Sequence, residues 1–410
     1  MNNWPQIKLE TVCLNLTVGY VGPMADEYVE EGVLFLRSQN ILPFKLNLEP
    51  SQTKYISFDF NKKIRKSKLY PGDIAIVRTG YPGTACVIPD NFEEVNCSDL
   101  VIVRPDHSMV DARFLCNYIN SPIGKGAIFG SLVGVAQQHF NVGVAKNMKM
   151  KLPPLPIQQK IASILSSYDE LIENNTKRIK LLEEMAEEIY KEWFVRLRFP
   201  GYEKVKVVDG LPEGWEKQRL DKVLATVKRK PKISSDKYLT GGMYPIIDQG
   251  DKFIAGYTND ESLVQFEPLP LLVFGDHTRR IKFLNYPFVS GADGTQLLYP
   301  KNKNLLPSYF YIAIKNIDLS NFHYARHFKF LKQEYILIPD DGSLFKFNKI
   351  VTPFFEEIQI LKEKNQLLQE TRDLLLPRLI SGKLSVEHLV EEEEERMGMA
   401  AEPITNYGKK

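Results

Sequence analysis

The sequence predicts an α+β protein in which two duplicated strand-rich domains are separated by two long helices. The helices are expected to form an antiparallel coiled coil, giving the molecule a pseudo-two-fold axis. Three observations lead there. First, the chain repeats itself: "WPQIKLETV" at residues 4–12 is echoed by "WEKQRLDKV" at residues 215–223, with Trp, Leu and Val at the same spacing. A period this long signals duplication of a domain rather than a solenoid of short repeats. Second, each copy leads through β-branched runs to a proline-marked turn, "KLPPLP" at 151–156 and "ILIPDD" at 336–341. Third, apolar residues recur at alternating three- and four-residue steps after each turn, the pattern of a coiled-coil seam.

The elements follow in order. "DIAIVR" (73–78) and "DLVIVRP" (99–105) read as strands, flanked by the turn residues Pro71, Gly72, Gly80, Pro82 and Gly83. A helix is expected over about 111–119, where Phe114, Leu115, Tyr118 and Ile119 share a face. In the second copy "PLLVFGD" (270–276) stands for "DIAIVRTG", "QLLYP" (296–300) for "LVIVRP", and a helix over 308–315 for the one at 111–119. The first long helix is expected from Pro156 to about Phe194. Its seam is Ile157, Ile161, Ile164, Tyr168, Leu171, Ile179, Leu182, Ala186, Ile189 and Trp193, with the polar Asn175 in the middle. The second seam is Ile350, Phe354, Glu357, Leu361, Asn365, Leu368 and Leu375, ending near Leu379. In an antiparallel pair Asn175 and Asn365 meet near the midpoint, where a buried Asn pair fixes register at a cost in stability. Residues 198–216 read as a Pro/Gly-punctuated linker, Gly382 as the stop of the second helix, and the acidic end as a solvated, disordered tail.

With 410 residues the chain is long enough for two independent cores, and 43% hydrophobic and 11% aromatic residues are ordinary for globular domains. A net charge of +2 supplies no global basic field. The four cysteines lack zinc-ligand spacing and read as buried reduced thiols. The sequence shows neither the layout of a signal peptide nor an apolar run long enough to span a bilayer, so an intracellular protein without membrane contact is expected. A phosphate-binding Gly-rich loop, HExxH, paired CxxC, an EF-hand loop and an Asn-Pro-Pro-aromatic tetrapeptide are all lacking. Carboxylate pairs such as Glu183-Glu184 fall on an outer helix face. Catalytic and metal-ligating residues are therefore not assigned, and the weight falls on binding.

What the chain offers for binding is basic and amide-rich loops. Lys62, Lys63 and Arg65 lie in one basic cluster and Lys230 in another, suited to phosphate contacts. Base edges are read bidentately by Arg, Lys, Asn or Gln on protruding loops. On that ground Arg37, Gln39, Arg78, Thr79, Tyr81, Gln137 and His139 are candidates in the first copy. Gln249, His277, Arg279, Arg280, Arg326 and His327 are candidates in the second. Gln39 matches Gln249 and His139 matches His327 by position in the repeat. Two similar reading heads facing one groove would be centred about one turn of DNA apart, roughly 34–36 Å.

The segments "KLPPLPIQQKIASILSSYDELIENNTKRIKLLEE", "IYKEWFVRLRFPG", "GLPEGWEKQRLDKV", "GDHTRRIKFLNYPFVSGADG" and "LLPRLISGKL" resemble the specificity subunits of Type I restriction-modification systems, over residues 4–389. The resemblance implies a first target-recognition domain at 1–150 and a helical spacer at 151–197. It implies a linker and second target-recognition domain at 198–340, a second helical region at 341–385, and an acidic tail at 386–410. Each domain would read one half of a split sequence in double-stranded DNA, and the helices would set the gap and dock methyltransferase subunits. The chain would be non-catalytic and bind no cofactor. Its partners would be two methyltransferase subunits using S-adenosylmethionine and two restriction subunits using ATP and Mg2+, in the cytoplasm of a prokaryote and associated with the nucleoid. The sequence departs from the family at "IPDDGSLFKFNKI", which lacks the Pro-Pro-Leu-Pro pattern. Two further readings remain open: an autonomous two-domain DNA-binding regulator, distinguished by tight specific binding without partners, and an endonuclease, distinguished by Mg2+-dependent cleavage by the chain alone.

Overall fold

The computed structural model describes residues 4–132, 139–321 and 326–392. The chain divides into two compact units, residues 1–173 with 366–410 and residues 174–365. Both hold a closing pair of strands, two further small sheets and a domain helix, in the same order along the chain.

In the first unit, a pair of short strands, Gln6–Lys8 and Lys149–Lys151, brings the two ends of the domain together. An antiparallel sheet runs Ala85–Val87, Ile74–Val77, Leu100–Pro105, Cys13–Val18. A second, mixed sheet holds one parallel pair, Val33–Leu36 beside Val95–Cys97. In the second unit Glu216–Arg219 pairs with Tyr335–Ile338. Leu271–Gly275 lies between Ile281–Leu284 and Thr295–Leu298, and Tyr244–Ile247 runs parallel to Phe288–Ser290. The helices Ala112–Asn120 and Pro307–Lys315 occupy the same place in the order. Asp111 caps the first of them by accepting from the Phe114 amide at 2.8 Å, and Pro307 opens the second at a position where a missing N–H costs nothing. The duplication read from two Trp motifs is thus a duplication of fold.

The first long helix covers Leu155–Tyr190 and continues as a π-helical turn over Lys191–Val195; the second covers Asp341–Ile380. They pair antiparallel. In the second unit Asn175 Nδ2 donates to Asn365 Oδ1 at 2.9 Å, Arg178 Nη2 bonds Glu357 at 2.8 Å and Lys362 lies 3.8 Å from Glu183. In the first unit Arg372 pairs with Asp169. The seams differ from the expected ones in phase. Leu171 is 51% exposed and Ile172 takes its place inside, while Leu165 is fully buried and Ile164 only partly. In the second helix the buried line is Leu344, Phe347, Val351, Phe355, Ile358 and Leu361, one residue later than the Ile350, Phe354, Glu357 line; Ile350 is exposed. Two of the expected members carry adjacent apolar neighbours, Val351 and Phe355, and periodicity alone does not choose between them. Glu357 leaves the seam for its ion pair with Arg178.

Both helices wall the domain cores. Ile157, Ile161, Leu165, Leu376 and Leu379 join Leu9, Phe114 and Phe140 in the first unit. Tyr190, Trp193, Phe194 and Phe347 join Trp215, Tyr309 and Phe310 in the second, with Phe194 edge-on to Phe347 at a centroid distance of 4.9 Å. The expected linker is part of this core: Phe199 is buried against Trp215, 4.6 Å between centroids. The expected disordered tail is also corrected at its start, because Val386 is buried and Leu389 and Val390 pack on the first core. The rest of that tail, 393–410, lies outside the described residues. Gly382 ends the second helix with φ +71°, and a Cβ there would sit 3.1 Å from the Trp4 ring.

The two helices start differently, where the sequence departs from the family pattern. At the first, Gln158 is buried and its Nε2 donates to the carbonyls of Pro153 and Met109 at 2.9 and 3.1 Å. At the second, Asp340 accepts from the amides of Gly342 and Ser343 at 2.9 and 3.0 Å and from Trp215 Nε1 at 2.7 Å. Burial pushes the Asp340 carboxyl up, but the bonds from Ser343, Trp215 and Gly342 outweigh it, and its pKa lies below the ordinary 3.8.

Two predictions follow from this packing. Phe347→Ala removes a fully buried ring from the aromatic cluster and is expected to cost about 3–5 kcal/mol in chemical denaturation. Asp340→Ala removes an N-cap and is expected to cost about 0.5–2 kcal/mol at neutral pH. A carboxyl with a depressed folded pKa contributes stability above its unfolded value and loses it as pH falls through the folded value. The difference between wild type and Asp340→Ala in pH-dependent denaturation should therefore shrink below pH 3.8.

Candidate nucleic-acid interface

In the first unit the strand Ile74–Val77 ends in Arg78, whose Nη1 bonds Asp99 at 2.6 Å. The loop that follows turns through Gly80 and Gly83, at φ +89° and +84°. A left-handed conformation strains a side chain and suits glycine. Thr79 Oγ1 lies 3.1 Å from His139 Nδ1, and the Phe140 amide donates to the Arg78 carbonyl at 3.2 Å. Two segments sixty residues apart thus meet, and at the tip Tyr81 is 84% exposed. Gln137 lies outside the described residues.

Arg37 and Gln39 are held close together. Arg37 Nη2 donates to the Gln52 carbonyl at 2.7 Å and its guanidinium lies over the Tyr28 ring at 5.8 Å. The Gln39 carboxamide sits 3.0 Å from that of Gln52, and with its oxygen turned inward it accepts from Arg37 Nη2 at 2.9 Å. Arg37 is half-buried, so it shapes this loop more than it extends from it. Lys62, Lys63 and Arg65 are exposed on the helix Phe58–Lys63 and the turn after it. The helix is anchored from below by Asn61, which bonds Glu94 and Asn96 at 2.9 and 2.8 Å. A solvated cation row on a fixed base suits phosphate contact.

The second unit gathers its candidates more tightly. Gln249 Nε2 donates to the Asp293 carbonyl at 2.9 Å and its Oε1 accepts from the His277 amide at 3.1 Å, while Thr278 Oγ1 donates to the Gln249 carbonyl at 2.7 Å. His277 is exposed. Arg280 pairs with Asp251. Arg279, at φ +61°, donates from Nη1 to the Leu319 carbonyl at 3.0 Å. His327 is 5% exposed; its amide and ring Nδ1 both lie 2.9 Å from the Asp276 carbonyl. The expectation of a base contact from His327 does not fit that burial, while Arg326 beside it is exposed. Phe328 donates its amide to Asp276 Oδ1 at 2.8 Å.

Lys230 is exposed in the segment leading to Ile233, whose amide donates to the Ser290 carbonyl at 3.1 Å. Its neighbour Lys232 has a lowered pKa through burial and the charge of Arg229, opposed by Asp293 and Asp276. The basic segment therefore runs beside the 276 and 293 loops. The repeat positions correspond in three dimensions as well. Phe140 bonds the residue after the strand Ile74–Val77, and His327 and Phe328 bond the residue after Leu271–Gly275. Sequence reasoning did not find Asp99 or Gln52, because their role is to hold other loops and such a role has no sequence pattern of its own. Among the described residues no group of three or more His, Cys, Asp or Glu side chains is placed to hold a metal ion. No described helix is long and apolar enough to cross a membrane.

The chain thus holds a pair of like domains, each with polar loops beyond its strand ends. Residues 42–184 match the model of the Type I restriction modification DNA specificity domain. The chain is 26% identical over 332 residues to the Type I restriction enzyme MjaIX specificity subunit of Methanocaldococcus jannaschii, covering 73% of each. It is 22% identical over 200 residues to the HindI specificity subunit of Haemophilus influenzae, covering 48% of this chain and 41% of that one. The S subunit of a Type I restriction-modification system from M. genitalium shares the fold, with a TM-score of 0.56 at 17% identity over 92% of this chain and 96% of that one. The resemblance to Type I restriction-modification specificity subunits is borne out by family, relatives and fold alike. These relatives are named as the specificity subunits of Type I restriction enzymes.

Asp276→Ala removes the acceptor of the Phe328 amide. Amide hydrogen exchange over 326–331 is expected to accelerate while the strand Leu271–Gly275 keeps its protection.

Proposed function

We propose that the chain is the sequence-reading subunit of a Type I restriction-modification complex, each domain reading one half of a bipartite target in double-stranded DNA. The observation that carries this is the repetition of one fold with two different loop sets. Thr79, Tyr81 and His139 stand beyond the strand ends of the first, and Gln249, His277, Arg280 and Arg326 beyond those of the second. A shared scaffold with unlike loops suits two unlike half-sites. Lys62, Lys63, Arg65 and Lys230 are assigned to phosphates. Arg37, Arg78 and Arg279 are tied to Gln52, Asp99 and Leu319 and shape the reading loops.

The two long helices set the unread gap and dock two methyltransferase subunits, and two restriction subunits complete the complex. The chain binds no cofactor in this reading; S-adenosylmethionine, ATP and Mg2+ belong to the partners, and the complex works in the cytoplasm at the nucleoid. Asn175 and Asn365 fix the helix register, supported by their mutual hydrogen bond.

Exchange of residues 211–339 for the equivalent domain of a relative is expected to change one half of the methylated sequence and leave the other intact, read by mapping methylation in cells carrying the partners. A swap that altered both halves, or neither, would sink the two-headed reading. Arg326→Ala is expected to cost about 1–3 kcal/mol in binding and to relax one position of the second half. Uniform weakening on every DNA sequence would reassign Arg326 to phosphate.

A further inference from the structure

Lys282 lies on the strand Ile281–Leu284, opposite Val273 in the antiparallel register. It is 6% exposed, on the buried face of the strand with Leu284. Its ammonium is spent on backbone. Nζ donates to the carbonyls of Asp248 at 2.8 Å, Lys252 at 2.6 Å and Phe253 at 3.4 Å, with the Asp248 carboxylate 3.8 Å away. Three donors thus meet three carbonyls of one loop, which is the full capacity of an ammonium. Burial lowers the Lys282 pKa and the Asp248 charge opposes that.

The loop so gathered, 248–253, carries Gln249 and Asp251. Gln249 bonds the His277 amide and the Asp293 carbonyl, and Asp251 pairs with Arg280. Lys282 therefore sits at the root of the contacts joining the 248–253, 275–280 and 291–294 loops. The first domain has nothing comparable at the equivalent place. There Ala75 is opposed by Cys86, a fully buried thiol packed among Leu34, Val77 and Ile102. A buried charge without its partners is costly, so the lysine holds this position through the loop carbonyls.

We propose that Lys282 is a positioning residue for target specificity, holding the 248–253 loop in the one shape that lets the second domain discriminate its half-site. The inference rests on the two-headed reading above. The ammonium touches no DNA; it fixes the loop whose side chains face it.

The test uses the full chain assembled with its methyltransferase subunits, selecting bound sequences from a random DNA pool and mapping methylation. Lys282→Met keeps the length and apolar stem without the three donors. Lys282→Arg keeps the charge, but its planar fork cannot meet the same three carbonyls. Each variant is expected to blur or alter the preferred bases of the second half by tenfold or more, with the first half as sharp as in wild type. If Lys282→Met does not fold by circular dichroism, Lys282→Arg alone decides. Either folded variant selecting the wild-type second half with undiminished preference overturns the proposal. A wild-type complex that selects no split target fails the two-headed reading itself, a separate outcome from an unchanged variant on a split target.

Discussion

Each strand-rich domain has short helices of its own, and these alone do not cover the apolar face of its sheets. The remaining wall comes from the two long helices: Ile157, Ile161, Leu165 with Leu376 and Leu379 in one domain, Ala186, Tyr190, Trp193 with Leu344, Phe347 and Val351 in the other. Apolar burial is the main favourable term in folding, so neither domain completes its core without both helices. The strand pairs that close each domain, Gln6–Lys8 with Lys149–Lys151 and Glu216–Arg219 with Tyr335–Ile338, run directly into those helices. Domain and helix are one folding problem, and a change in helix phase is felt in the core.

That constraint explains why the loops are free to differ. The strands, the domain helix and the long helices supply the buried surface, while the residues beyond the strand ends contribute little to it. In the first domain the loops are held by bonds such as Thr79 to His139 and Arg78 to Asp99. In the second they are cross-linked through Gln249, Asp276 and Lys282. The same scaffold thus carries two styles of reading surface: a short glycine-flanked loop presenting Tyr81, and an interlocked set of loops around His277. The polar midpoint of the helices, Asn175 against Asn365, and the flanking pairs of Arg178 with Glu357 and Arg372 with Asp169 add direction and register to an otherwise apolar seam. Exposed ion pairs contribute little stability; their value is in specifying how the helices align.

The fold was legible where chemistry repeats along the chain. The duplicated Trp motifs, the strands around Ile74–Val77 and Leu271–Gly275, and both long helices are found where the patterns put them. Helix phase was less legible. Where two apolar residues are adjacent, as at Ile350-Val351, Phe354-Phe355 and Leu171-Ile172, either neighbour satisfies a three-four spacing, and only the opposing wall selects the inner one. The burial of Lys282 was not legible at all. Alternation in a strand assigns a lysine to the solvent face, yet here it points inward because three loop carbonyls await it. His327 misleads in the same direction, a polar residue in a basic segment that is buried on a backbone carbonyl.

By itself the sequence determined the duplication, the element order, the pairing direction of the helices and the family resemblance, because these rest on periodicity and on local turn chemistry. Only the tertiary structure decided which candidate residues stand out and which are spent inside. Arg37 and His327 have the residue types that read DNA, but their hydrogen-bonding groups are engaged by Gln52 and Asp276. A donor's availability depends on which distant carbonyl folds against it, and that partner is fixed by the whole core rather than by the neighbours in the chain.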